Sequence, residues 1–251
     1  MAGEFSTLDI VAVTNFFVVW VVYQALFDGR WRRRTSINAA LASLRRHWMR
    51  ALLVRENRIV DSTLVGHVIH SASFFASTTM FVVAGLIGVL GSADRIYAAI
   101  GNITLLLGGG QRLFEWKVVL LIAIFIYAFF KFTWALRQFN YFSAVVGSAP
   151  DARRESIDVD AYAERMAAVL TYAVGELNAG VRAYYFAFAA FGWFIDPRVF
   201  IVATVLMVLV IARRQLVSPT AKALREHGKC LDDRREGVAD DYREGVADDR
   251  R

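Results

Sequence analysis

The stretch VGHVIHSASFFASTTMFVVAGLIGVL, Val65–Leu90, contains no Asp, Glu, Lys or Arg. A helix needs about 20 mostly apolar residues to cross a ~30 Å hydrocarbon core, so this run is long enough to span a membrane. Four more runs qualify: Leu8–Phe27, Lys117–Leu136, Leu170–Ile195 and Val199–Leu216. Hydrophobic residues make up 57% of the 251, above the roughly half expected of a soluble domain. In lipid every backbone polar group must be satisfied within the segment or in a closed barrel. These runs are too long and too continuous for barrel strands, which alternate over about 10 residues. The expected fold is all-α: a polytopic membrane helix bundle with about five transmembrane helices over residues 1–218. The leader MAGEFSTLD is acidic, so the first run reads as a retained helix rather than a signal peptide.

Arginine sets the expected orientation. Arg30, Arg32, Arg33, Arg34, Arg45, Arg46, Arg50, Arg55 and Arg58 lie between the first two runs. Arg153, Arg154 and Arg165 lie between the third and fourth. Arg213, Arg214, Lys222 and Arg225 follow the fifth, while the other side carries only Arg95, Arg112, Lys117 and Arg198. The positive-inside rule then puts the N-terminus outside and the C-terminus in the cytoplasm of an inner-membrane protein. The net charge of +6 and pI near 9.7 fit topology and contact with anionic lipid. No nucleic-acid reading motif accompanies that charge, so nucleic acid is not expected as a partner. The single cysteine, Cys230, rules out an intramolecular disulfide and any multi-cysteine metal site.

Residues 32–61 read as one amphipathic cytoplasmic helix, with Ile37, Leu41, Leu44, Trp48, Leu52 and Ile59 at helical spacing between arginines. Such a helix either lies in the headgroup plane or packs on the protein's own cytoplasmic face. In Ser92–Trp116, Asp94 is a candidate cap for a helix through Leu107 that Gly108–Gly110 would end, either interfacial or re-entrant. Residues 219–251 form a charged tail in which REGVADD occurs at Arg235–Asp241 and again at Arg243–Asp249. Such a repeat cannot bury a core, and a mobile tail or frayed helix is expected.

The spans differ in kind. The first and fifth are plain aliphatic runs, expected at the periphery against lipid. In the second, Thr63, His67, His70, Ser71, Phe74, Thr78 and Gly85 share one face of a 100° wheel. In the fourth, Tyr172, Glu176, Ala179, Gly180, Ala183, Ala187 and Ala190 share a stripe. Small residues let helices approach closely in lipid, so this stripe is expected to pack on span two or three. Counting depth from the outer ends puts His67, His70, Lys131 and Glu176 near the cytoplasmic boundary. Ionisable groups at membrane depth usually face the bundle interior or a watery cavity. The candidate site is therefore a polar cytoplasmic-side cluster of His67, His70, Lys131 and Glu176, with Arg182. The plainer reading has Lys131 snorkelling to the headgroups and Glu176 paired with Arg182.

His67, His70 and Glu176 would also suit a two-histidine, one-carboxylate metal set, the less favoured reading. No nucleophile–base pair stands out, and Gly108–Gly110 lacks the lysine and hydroxyl of a phosphate loop. Neither an enzymatic activity nor a cofactor is identified.

Four pieces resemble an uncharacterised membrane family, domain of unknown function 599. They are RRHWMR (Arg45–Arg50), SFFASTTMFVVAGL (Ser73–Leu86), FFKFTWALRQFNY (Phe129–Tyr141) and GVRAYYFAFAAFGWF (Gly180–Phe194). The resemblance runs to about Ser218 and implies a multi-span fold without an agreed activity. Arg137, Arg182, Tyr184 and Tyr185 carry the family pattern. The leading functional expectation is a homo-oligomeric channel or transporter for a small solute or ion. The competing one is a non-transporting membrane scaffold or interaction protein. A water-filled path along spans two and four would favour the first, and a dry packed core the second.

Overall fold

A computed structural model of the chain describes residues 5–28, 37–100, 110–217 and 219–248. Eight helices follow one another: α1 (Thr7–Asp28), α2 (Ile37–Val54), α3 (Ile59–Gly91), α4 (Ala93–Ile100), α5 (Gln111–Gly147), α6 (Val159–Ile195), α7 (Pro197–Val217) and α8 (Pro219–Asp248). There is no strand among the described residues. Among the described residues, three helices are long and apolar enough to cross a membrane: α1 over Thr7–Leu26, α3 and α5.

Local chemistry fixes the helix ends. Ser6 and Asp9 form a reciprocal cap on α1: the Asp9 N–H donates to Ser6 Oγ at 3.2 Å, and the Ser6 N–H donates to Asp9 Oδ2 at 3.0 Å. Asp158 caps α6 by accepting from the Ala161 N–H at 3.0 Å. Pro197 opens α7, where its missing N–H costs nothing. The α6–α7 turn is tight enough that a Cβ on Gly192 would lie 3.3 Å from the Phe200 backbone.

The predicted helix over residues 32–61 breaks in two. Asn57 Oδ1 accepts from the Ile59 N–H at 2.9 Å and starts α3 there, so Asp61 belongs to α3 rather than to the amphipathic helix. Residues 29–36, with Arg30, Trp31 and Arg32–Arg34, fall outside the described residues. So do 101–109, where the helix expected from Asp94 to Leu107 would have continued to the Gly108–Gly110 stop, and the side chains of the repeated tail. The third span also starts earlier than its apolar run. α5 begins at Gln111, whose amide bonds Asp94 in the first turn of α4, and Lys117 is carried inside the bundle.

The antiparallel pair α5 and α6 forms the centre. α3 packs on the flank of α5, α7 on α6, and α1 on α7. Two cores result. The first joins Phe16, Trp20 and Tyr23 of α1 with Ile124, Ala128 and Phe132 of α5 and Ala183, Phe186, Ala187 and Ala190 of α6. Trp20 stacks on Phe186 at 4.7 Å between centroids. In lipid such contact acts mainly through dispersion and close fit, since lipid tails are as apolar as the side chains.

The second core lies at the α2 end: Met49, Leu52 and Leu53 close over Phe139 and Phe142 of α5 and Met166 of α6. α2 therefore lays its apolar side on α6. Removing such side chains from water contributes about 1.5–3 kcal/mol each. The elbow between α2 and α3 is latched to the α5–α6 connection. Arg58 donates to the carbonyls of Ala149 and Pro150 at 2.6 and 2.7 Å, and Arg50 pairs with Asp160 at 2.6 Å. In that connection the Arg153 guanidinium holds the Asp151 carboxyl down at about 2. α8 docks on α2, with His47 and Asp232 at 2.8 Å.

Candidate functional site

Two of the five predicted site residues meet. Lys131 of α5 donates to Glu176 of α6 at 2.8 Å, with 30% and 26% of the two side chains exposed. The Lys131 ammonium also lies 5.6 Å from the centre of the Tyr127 ring. The Tyr127 hydroxyl in turn accepts from Gln24 of α1 at 3.2 Å. A polar string thus runs from α1 through α5 to α6, and Glu176 stands next to Leu177, which packs against both cores. Arg182 is buried on α6.

His67 and His70 are placed differently. The residues that α3 buries are Asp61, Val65, Ala72, Ala76, Thr79 and Val83, one stripe at helical spacing facing the bundle. His67 and His70 are exposed, on the opposite side of the helix. Thr63, Ser71, Phe74 and Gly85 are exposed with them. The face marked in the sequence as polar is real, but it looks away from the rest of the bundle. Among the described residues no three His, Cys, Asp or Glu side chains are grouped to hold a metal ion.

The stripe on α6 packs as expected where it is small. Gly180, Ala183, Ala187 and Ala190 are buried, and a Cβ on Gly180 would come within 2.5 Å of the Phe132 ring on α5. Tyr172 is exposed. The residues of the family pattern are likewise divided. Tyr184 shares a 2.7 Å hydrogen bond with Thr79 of α3, inside a cage of Phe75, Phe125 and Phe132. Tyr185 accepts from Arg214 of α7 at 3.4 Å. Arg137 donates to Tyr141 on its own helix at 2.8 Å.

Three further buried charged residues were not proposed as site residues from the sequence. At the α4 end, Asp9 accepts from the Trp193 indole at 2.8 Å, and Lys117, 4% exposed, sits 5.8 Å from the Trp193 ring centre. At the α2 end, the fully buried Asp61 accepts from Trp48 and from Arg55, each at 2.6 Å and each on Oδ1. Ser6-x-x-Asp9 was a readable capping box, while nothing in the sequence marked Asp61. A cleft of about 190 Å³, lined by Val145, Ala149, Pro150, Tyr162, Arg165 and Met166, opens at this end between α5 and α6. It is largely apolar and lies away from the Lys131–Glu176 pair.

The arrangement can hold charge and fix helices across a seam; among these contacts none pairs a nucleophile with a base. No curated protein and no solved structure matches the chain. A family profile does match, over residues 11–220, which takes in α2 to α7 whole and both members of the central ion pair. The chain belongs to the family described as Protein of unknown function, DUF599.

Proposed function

We propose that this chain is a five-span protein of the cell inner membrane that works as a scaffold or interaction subunit, not as a single-chain transporter. α1, α3, α5, α6 and α7 cross the bilayer, with the N-terminus outside and the C-terminus in the cytoplasm. α5 and α6 each have 37 residues, about 55 Å at 1.5 Å per residue, against a ~30 Å hydrocarbon core. Their excess, with α2 and α8, forms a cytoplasmic head. Arg50, Arg55, Arg58, Arg153 and Arg154 all fall at that end, which supports the orientation and gives the head a grip on anionic lipid.

The observation that carries the functional reading is the sealed α5–α6 seam. Ala128, Phe132 and Ala135 on one side and Ala183, Phe186, Ala187 and Ala190 on the other are at most 1% exposed. A seam closed by rings and methyl groups supports a packed support rather than a path. The test is flux of protons and potassium in liposomes holding the purified chain or its Glu176→Gln variant. The expected result is leakage equal to empty liposomes for both. Flux from the unaltered chain that falls in Glu176→Gln would overturn the reading. A second reading, passage between copies along α3, is favoured by the outward polar face of that helix. It would appear as flux indifferent to Glu176→Gln but lost on replacing Ser77 by leucine.

A further inference from the structure

We infer that Arg45 of α2, with Thr171, Tyr172, Gly175 and Asn178 of α6, forms a binding site for one phosphate group, carried by an anionic phospholipid of the inner leaflet. The inference deepens the lipid contact of the reading above. It rests on the orientation in that reading, which brings Glu176 to the inner boundary of the hydrocarbon.

Four arginines of the same head are answered by acceptors. Arg50 pairs with Asp160, Arg55 with Asp61 and Arg153 with Asp151, and Arg58 donates to two carbonyls. Arg45 is not. It is half-buried where α2 packs on α6, and it reaches no carboxylate among the described residues. Its Nη1 donates at 3.3 Å to Thr171 Oγ1, a neutral atom whose own proton goes to the Ala167 carbonyl at 2.7 Å. Burial pulls the pKa of Arg45 down, as it does for a cation drawn out of water with little to answer it. Such a charge is costly without a partner, and the planar guanidinium fork matches the oxygens of a phosphate.

The surface of α6 is open beside that fork. Gly175, one turn on from Thr171, is exposed, and nothing lies within 4 Å of a Cβ built on it. Thr171, Gly175 and Asn178 recur at i, i+4 and i+7, on one face of the helix. Asn178, half-buried, brings an amide that can donate, and Tyr172, 64% exposed, brings a hydroxyl on the flank. No carboxylate competes there: Glu176, the next residue along, is turned to Lys131 on α5. The glycine is thus a floor without a side chain, rimmed by one cation and neutral donors. Its depth, beside Glu176, is where the lipid phosphates of the inner leaflet begin, and a tyrosine suits that level. A free phosphate ester would satisfy the same donors but has no reason to be held at this depth.

The experiment is native mass spectrometry of the full chain in detergent, titrated with phosphatidylglycerol. The parent should retain the lipid, and Arg45→Gln should bind it about ten-fold more weakly, the effect of losing a charge-assisted fork. Arg46→Gln, which removes the same charge one residue along α2, should bind as the parent does. Gly175→Leu fills the floor from a position with free space around it, so it tests the site without disturbing the packing, and it should lose the lipid as Arg45→Gln does. No retained lipid in the parent, equal losses in Arg45→Gln and Arg46→Gln, or full binding by Gly175→Leu would each overturn the site. Excess glycerol phosphate is added to the loaded parent to identify the source. The lipid should stay bound; its displacement would keep the phosphate site and overturn the lipid as its occupant. The measurement needs no bilayer, so a failure here removes the site and leaves the scaffold reading standing, while flux or an inverted topology would do the reverse.

Discussion

Lys131 and Glu176 meet across the α5–α6 seam at 2.8 Å, each still about a quarter exposed, where the first core gives way to the second core beneath α2. A pair in that position lies between two regimes. Fully exposed pairs contribute about 0–1 kcal/mol, and breaking a buried one costs about 3–5 kcal/mol because a charge is stranded. Lys131→Met or Glu176→Leu alone should destabilise the bundle by about 1–3 kcal/mol, within that range. The double variant should cost less than the sum of the two. Unfolding midpoints in mild detergent measure all three. Additive losses would mean that the two charges act separately.

Gly180 is set by its neighbour. A methyl group there would sit 2.5 Å from the Phe132 ring, closer than any relaxed contact allows. Phe132 also stacks on Phe75 and meets Tyr184, so it has little freedom to move aside. Overpacking of this kind costs about 1–3 kcal/mol, and Gly180→Ala should show that loss in the same unfolding assay. Phe132→Leu should restore part of it in the double variant. A Gly180→Ala protein as stable as the parent would show that the seam can open.

These two contacts were unequally visible in the sequence. That α5 and α6 would be helices followed from their apolar length, and the small face of α6 from the spacing of Gly180, Ala183, Ala187 and Ala190. The wheel also found the polar face of α3. A wheel ranks the sides of one helix against each other and says nothing about which side its neighbour takes, so His67 and His70 were expected beside Glu176. The neighbour took the alanine and valine side. Lys117 opened the third apolar run, and nothing in the sequence marked it as buried. Its burial depends on Asp9 and Trp193, distant in sequence. The helices outrun their apolar segments because the second core is built beneath α2 from residues on amphipathic turns, such as Phe139, Phe142 and Met166, which hydropathy averages away.

Asp61 holds α2 to α3. Its Oδ1 takes both the Trp48 indole and the Arg55 guanidinium, and the residue is wholly buried. Asp61→Ala would leave the Trp48 N–H without its acceptor, at a cost of about 1–3 kcal/mol, and would free Arg55, already 45% exposed. The elbow should then open locally before the bundle unfolds. Trypsin should cut after Arg55 and Arg58 faster in Asp61→Ala than in the parent, while Asp61→Asn, which keeps an acceptor oxygen, should lie between. Equal cutting rates in all three would remove Asp61 from any role in the latch.

The positions of Arg198 and Cys230 test the topology on which the functional reading depends. Arg198 is exposed in the first turn of α7, and Cys230 is exposed on α8, beyond the other end of α7. If α7 crosses the membrane, the two must lie on opposite sides. The proposed orientation has Cys230 in the cytoplasm. A maleimide that cannot cross membranes should therefore leave Cys230 unlabelled in intact cells and label it after permeabilisation. In an Arg198→Cys, Cys230→Ser chain the intact cells should label at once. The same pattern at both positions would mean that α7 does not cross. A reversed pattern would keep the crossing and invert the protein, which would move the arginine-rich head, and its lipid contacts, to the outer face.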